Sequence, residues 1–308
     1  MKPKVLAVVG PTAVGKSALA ITLAQRFNGE IISGDSMQVY RHLDVGTAKV
    51  TAAEQAVVPH HLIDILDVHE QYGVQRFVVD CTRAITEIRT RGKLPIIVGG
   101  TGYYLQALFQ GLQLGGQASS DPAVRAELAA EQHRLGAQAM WAQLQRVDPT
   151  AAENIDPHNE RRVLRALEIY RVTGHKPSQQ PEAPAPFDSL IIGLNCERQL
   201  LYQRINQRVD EMVANGLVAE NEWLRDQGPD VPALKGIGYR EFIPYFAGTQ
   251  DLATTVTKIK TDSRHYAKRQ LTWFRNQMDV QWYNLVEHPE QQAPLEQAVT
   301  KWRQTHDV

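Results

Sequence analysis

The sequence is short of cysteine, of long apolar runs and of charge of one sign. Its 308 residues include two cysteines, Cys81 and Cys196, far apart and in no C-x-x-C pair. That argues against a disulfide framework and against a cysteine-built zinc site, and it suits a reducing compartment. No stretch approaches the ~20 apolar residues that a membrane helix needs. The apolar start, MKPKVLAVVG, is too short for a signal peptide and reads better as a first strand. The expectation is a cytoplasmic protein without membrane contact. A formal net charge of −1 means that any nucleic-acid surface must be local.

Two motifs are missing as well. No N-K-x-D base-reading motif occurs, which argues against a nucleotide switch. The apolar run Leu94 to Val98 ends in Gly-Gly-Thr-Gly rather than in the metal-binding aspartate of a Walker B strand.

What is present is an alternation of short apolar runs with helical spacing. Val5 to Val9, Glu30 to Ser33, Leu62 to Leu66, Leu94 to Val98 and Ser189 to Leu194 read as strands. Ser17 to Phe27 and Phe77 to Arg91 read as helices, the second with Phe77, Cys81, Ile85 and Ile88 at three- and four-residue steps. Strands alternating with helices predict an α/β fold with a parallel sheet flanked by helices. The pattern changes between Gly115 and Phe187. Asp121-Pro122 reads as a helix start with proline at its first position, and leucine, alanine and arginine dominate up to Gly174. The expected organisation is a P-loop core from 1–115 and 188–308, helical in its C-terminal part, with an all-helical insertion over 116–187. The last twenty or so residues are polar and are expected to fray.

Gly10-Pro11-Thr12-Ala13-Val14-Gly15-Lys16-Ser17 fits G-x-x-x-x-G-K-S without a mismatch, after a strand and before a helix. Its backbone N–H groups and helix N-terminus suit phosphate oxygens, Lys16 adds a full charge, and the Ser17 hydroxyl can ligate Mg²⁺. The loop does not say which phosphate compound binds or what is transferred. Asp35, in Gly-Asp-Ser-Met-Gln, is either a metal- or proton-handling acid or a turn cap. Thr101, at the end of its strand, either reaches a phosphate oxygen or caps the next helix.

GPTAVGKS, GDSMQVYRHLDVGTAK, HHLIDI, VGGTGYYLQAL, NERRVLRALEIY, RINQRVDEM, LKGIGYREF and RHYAKRQLTWFRN occur in this order. Together they resemble the bacterial tRNA dimethylallyltransferases, from about Lys4 to about Asn276. The resemblance implies a P-loop NTPase-like core that binds dimethylallyl pyrophosphate instead of serving ATP hydrolysis, with Mg²⁺ as cofactor. It implies attack by N6 of the adenine immediately 3′ of the anticodon, with Asp35 as proton acceptor and Thr101 stabilising the leaving oxygen. It places Arg204 and Arg208, one helical turn apart, on the pyrophosphate. It puts Asp35, Ser36, Met37, Gln38, Thr101, Arg125, Asn159, Glu160, Arg161, Arg162, Val163 and the run Lys235, Gly236, Ile237, Gly238, Tyr239, Arg240, Glu241 near the tRNA anticodon stem-loop. The zinc finger of eukaryotic relatives has no counterpart here in Cys/His pairs at ligand spacing.

Two segments are locally basic: Arg161, Arg162, Arg165, Arg171 and Lys176, and Lys258, Lys260, Arg264, Lys268, Arg269 and Arg275. Tyr266, Trp273 and Phe274 are interleaved with the second set, placed either to stack on bases or to fill a core. Together the clusters favour tRNA contact. The rivals are an adenylate isopentenyltransferase acting on free AMP or ADP, a small-molecule P-loop kinase, and a non-catalytic nucleotide-binding module on RNA.

Overall fold

A computed structural model describes residues 2–112, 121–179 and 184–305. Strand β1 (Lys4–Val9) is apolar on both faces because both are covered: Leu6 and Val8 point into one hydrophobic cluster, Val5, Ala7 and Val9 into another. That is the two-residue period of a strand buried from both sides. Helix Lys16–Phe27 fills the first cluster with Leu19, Ala20, Leu23, Ala24 and Phe27. The second takes Phe77, Cys81, Ala84, Ile85 and Ile88 from helix Val74–Thr90 and Leu105, Leu108 and Phe109 from helix Gly102–Gln110.

Strands β2 (Gly29–Ser33), β3 (His60–His61), β4 (Leu94–Gly99), β5 (Asp188–Leu194) and β6 (Gln281–Tyr283) complete a six-stranded sheet in the order β3-β2-β4-β1-β5-β6. Every pairing is parallel. The carboxyl ends of β1, β2 and β4 therefore open on the same edge, where open α/β sheets carry their ligands.

The third strand differs from the expected Leu62–Leu66. Leu62 and Asp64 adopt left-handed backbone conformations, φ 62° and 56°, which a strand cannot hold, and Leu66 makes an isolated bridge to Tyr40. Strand β6 was not expected; three residues, Gln281 to Tyr283, are too few to show a period. Among the described residues the C-terminal segment, expected to fray, is tied down as far as Thr305. Helix Gln292–Gln304 buries Leu295 and Val299, and Trp302 Nε1 donates to Asp188 at 2.9 Å.

The chain divides into two compact units, 1–110 with 185–308, and 111–184. The expected boundary at 115/116 lies outside the described residues. Phe187, expected in the insertion, lies in the core of the larger unit, with its ring 6.4 Å from that of Phe109. An aromatic side chain of that size gains more buried than exposed. In the smaller unit Asp121 caps helix Pro122–Leu135 by accepting the Ala123 and Val124 N–H groups. This helix, Ala137–Val147, Pro149–Glu153 and Glu160–Thr173 close on a core that includes Leu128, Met140, Leu144, Val163 and Leu167.

Candidate active site

The loop between β1 and helix Lys16–Phe27 has Ala13 and Gly15 in positive-φ conformations, 66° and 93°. Such turns aim successive N–H groups into one concavity, and at Gly15 a side chain would be strained. Two loop carbonyls are capped by cationic side chains. Lys16 Nζ donates to Pro11 O at 2.6 Å, and Arg204 Nε donates to Ala13 O at 2.8 Å. Thr12 N–H donates to Gln270 Oε1 at 3.1 Å. Thr12 thus keeps its expected place in the loop, but its N–H is engaged. Beyond it the loop leads into a helix start, whose first backbone donors have no intrahelical partner and suit an anion.

Burial, and then the charge of Arg208, push the Lys16 ammonium down to about 7, against the opposing pull of Asp35. Burial also lowers the Arg208 guanidinium, with Asp35 again pulling the other way. Lys16, Arg208 and Asp35 therefore share one electrostatic neighbourhood. Arg204 and Arg208 lie on one face of helix Arg198–Ala214. Arg204 meets the P-loop directly, so its face is not merely a solvated stripe.

Asp35 and Thr101 are brought together by the neighbouring strands β2 and β4. Thr101 Oγ1 accepts the Ser36 N–H at 3.2 Å, and Asp35 Oδ1 accepts the Met37 N–H at 2.8 Å. Asp35 thus caps its own turn and also stands beside Lys16 and Arg208; the two readings open at the sequence level are compatible. Gln38 Oε1 accepts from Ser33 Oγ at 2.9 Å, while Nε2 reaches Thr47 O at 3.3 Å. Tyr266 faces Thr101 and Gln270, and burial followed by the Asp35 charge pushes its phenol up to about 12.

The segment Lys235–Glu241 lies against this turn, with Met37 and Tyr239 in one cluster. Its residues differ in what they present. Lys235 and Arg240 are exposed, while Tyr239 and Glu241 are each 1% exposed. Tyr239 donates to Glu220 Oε1 at 2.8 Å, and Glu241 accepts the Gly238 N–H at 2.8 Å. These two side chains brace the segment from inside. The Ile237 side chain packs in a further apolar cluster. Glu220 was missed in the sequence. Its carboxylate accepts the Asp44, Val45 and Gly46 N–H groups at 2.6, 2.7 and 2.8 Å and so fixes the loop that carries Thr47.

In the smaller unit, Val163 is 1% exposed and Asn159 caps helix Glu160–Thr173 through the Arg162 N–H. The Val163 side chain therefore packs in the core of this unit. Arg125 and Arg165 both pair with the buried Glu168, at 3.1 and 2.8 Å, and Arg171 pairs with Glu131. Glu160, Arg161 and Arg162 are exposed. On helix Leu252–Gln277, Lys260 pairs with Asp210, Lys258 with Asp262, and Arg264 donates to Asn206. Lys268 and Arg269 are exposed and make no ion pair among the described residues. Phe274 is fully buried, so the core reading holds for it.

Among the described residues no group of three His, Cys, Asp or Glu could hold a metal ion. No helix among them is long and apolar enough to cross a membrane.

A parallel sheet with a P-loop, two arginines and a carboxylate at its carboxyl edge defines an enzyme that handles a phosphate ester. The IPP transferase family matches residues 38–277 and the isopentenyl transferase family residues 3–65. The chain belongs to the tRNA dimethylallyltransferase family. It is 58% identical over 97% of its length to the tRNA dimethylallyltransferase of Levilactobacillus brevis, covering 98% of that protein. With the one from Limosilactobacillus fermentum it shares 54% over 97% of this chain and 98% of the relative. Its fold matches the crystal structure of a tRNA isopentenylpyrophosphate transferase from Bacillus halodurans, with TM-score 0.75, 45% identity and coverage of 98% and 97%. It also matches a eukaryotic dimethylallyltransferase acting on tRNA, with TM-score 0.83, 32% identity and coverage of 96% and 77%. The core is the P-loop NTPase-like fold.

Proposed function

We propose that the chain transfers a dimethylallyl group from dimethylallyl pyrophosphate to N6 of the adenine immediately 3′ of the anticodon in tRNA, releasing pyrophosphate. The observation that carries the reading is the meeting of a P-loop, Asp35 and Thr101 at one sheet edge, with Ser36 N–H and Thr101 Oγ1 3.2 Å apart.

The amine of adenine is a weak nucleophile because its lone pair is delocalised into the ring. As N6 bonds to C1 of the donor, its proton passes to the Asp35 carboxylate. The C1–O bond breaks, and its electron pair leaves on pyrophosphate. Thr101 donates toward the bridging oxygen, where charge grows in the transition state. Lys16, Arg204, Arg208 and the N–H groups from Ala13 to Ser17 hold the remaining phosphate oxygens. Mg²⁺ in phosphate sites takes one or two protein groups beside phosphate oxygens and water. The exposed Ser17 hydroxyl fits that part, and the ion when bound would neutralise charge on the leaving group. Ser36, Met37 and Gln38 would meet the base, with Lys235, Gly236, Ile237, Gly238 and Arg240 beside them. Arg125, Asn159, Glu160, Arg161 and Arg162 would serve the anticodon stem-loop from the smaller unit. The names of the relatives above support tRNA over free AMP as the acceptor.

The test is incubation with Mg²⁺ and labelled dimethylallyl pyrophosphate, with either an anticodon stem-loop or AMP as acceptor. Label in the RNA at that adenine is expected. Label in AMP alone, or in neither, overturns the reading.

A further inference from the structure

Helix Leu252–Gln277 carries Lys268 and Arg269 on its outside, and the next residue, Gln270, points inward and is 5% exposed. Both ends of its amide are used. Oε1 accepts the Thr12 N–H at 3.1 Å, and Nε2 donates to Gly100 O at 2.9 Å. Thr12 belongs to the loop after β1, and Gly100 immediately precedes Thr101 in the loop after β4. The parallel ladder between these strands ends at the pair Val9 and Gly99. Beyond that pair the Gln270 amide takes the place of the next rung and ties one loop to the other.

The orientation of the amide is fixed by chemistry. An N–H group needs the oxygen and a carbonyl needs the NH₂, so a flipped amide would set donor against donor and acceptor against acceptor. The fit is also tight. A Cβ on Gly100 would stand 2.1 Å from Gln270 Nε2, far inside any real contact.

We propose that Gln270 is a positioning residue for prenyl transfer: its amide sets the spacing between the P-loop and Thr101, and so keeps the grip on the pyrophosphate in register with the donor to its bridging oxygen. The inference rests on the reading above, in which these two loops grip the pyrophosphate. Preorganised donors lose their effect when displaced, and a shift of about 1 Å costs on the order of 10²-fold in rate.

The test uses Gln270→Met, which keeps the volume without the amide, and Gln270→Glu, which keeps an acceptor for Thr12 but opposes a carboxylate to the Gly100 carbonyl. Turnover, KM for each substrate, tRNA affinity and Tm are measured on the full chain. The expected result is a fall of kcat by about 10- to 100-fold in both variants, with tRNA affinity within about twofold of the parent. Gly100→Ala should lower turnover in the parent but add little in a Gln270→Ala background, because that substitution removes the collision. If Gln270→Met does not fold, Gln270→Glu and the Gly100 pair carry the same test. Unchanged kcat in folded variants overturns the proposal. So does a loss confined to tRNA binding, which would make Gln270 part of the RNA surface. A parent protein that transfers no prenyl group defeats the functional reading itself, whereas an active parent with indifferent variants defeats only the positioning role.

Discussion

Thr101 Oγ1 accepts the Ser36 N–H at 3.2 Å. Ser36 follows Asp35, so the proposed proton acceptor and the proposed donor to the leaving oxygen are tied together by one hydrogen bond. A change in either loop is felt by both.

Asp35→Asn preserves size while removing the proton acceptor. The amide oxygen can still accept the Met37 N–H. Turnover should fall by ~10²-fold or more, the usual worth of a positioned base, with tRNA binding nearly intact. Steady-state rates beside a binding isotherm decide it; normal turnover would make Asp35 structural.

Thr101→Ala should lower kcat more than it raises the donor KM. By analogy with a lost oxyanion donor the barrier rises by roughly 2–4 kcal/mol. A pure rise in donor KM at constant kcat would contradict the role.

Lys16 gives a pH dependence. Burial, and then the Arg208 charge, push its ammonium down to about 7, and an anionic donor favours the charged form. Binding therefore takes up a proton above pH 7. Donor affinity in the absence of tRNA should fall as pH rises from 7 to 9, by up to tenfold per unit. Calorimetry in buffers of different ionisation enthalpy measures the uptake directly. Flat affinity with no proton uptake across that range would show that Lys16 is charged throughout.

Two pairs of cations test the RNA surface. Arg161 with Arg162, and Lys268 with Arg269, are exposed and have no ion pair among the described residues. Neutralising each pair should flatten the salt dependence of tRNA binding by about 0.7–0.9 per lost phosphate contact and leave donor affinity unchanged. Neutralising Arg165 should instead cost stability, since it leaves the buried Glu168 short of a partner. Salt titrations of each variant beside melting curves separate the two outcomes.

Glu30 predicts acid sensitivity. Burial pushes its carboxyl up, but hydrogen bonds from Arg91, His61 and Lys93 outweigh this and hold it at about 2. A depressed carboxylate stabilises above the unfolded value and loses that contribution as pH falls toward 2. A shift from 4.5 to about 2 corresponds to about 3 kcal/mol. Glu30→Gln should be less stable than the parent at pH 7 by an amount of this order, and the gap should close between pH 4.5 and 2. Denaturant titrations at several pH values check it; a gap that stays constant would rule this account out.

Much of the fold and the centre of the site were legible in the sequence, for local reasons. The run Val5 to Val9 announces a doubly buried strand, and Gly10 to Ser17 must turn its backbone toward an anion whatever surrounds it. The same holds for Asp121, whose cap needs nothing beyond the next three residues. Local pattern misled where a few residues decide. Leu62 to Leu66 looked like a strand but is bent by left-handed backbone, and Gln281 to Tyr283 was too short to read.

Tertiary structure alone decided which polar groups meet. Thr12 and Gln270 are 258 residues apart in sequence, Arg204 and Ala13 are 191 apart, and Gly46 and Glu220 are 174 apart. A glutamine in a helix, or a glutamate on a polar one, carries no mark of the backbone groups it will serve, because one or two hydrogen bonds impose no period on the sequence. The same holds for the basic clusters: composition counts Lys258, Lys260, Arg165, Lys268 and Arg269 alike. The pairs Lys258–Asp262 and Arg165–Glu168 lie one helical turn apart and are local. Only packing shows that Lys260 is paired with Asp210 on another helix while Lys268 and Arg269 face outward, since a charge is neutralised by what lies within a few ångströms of it.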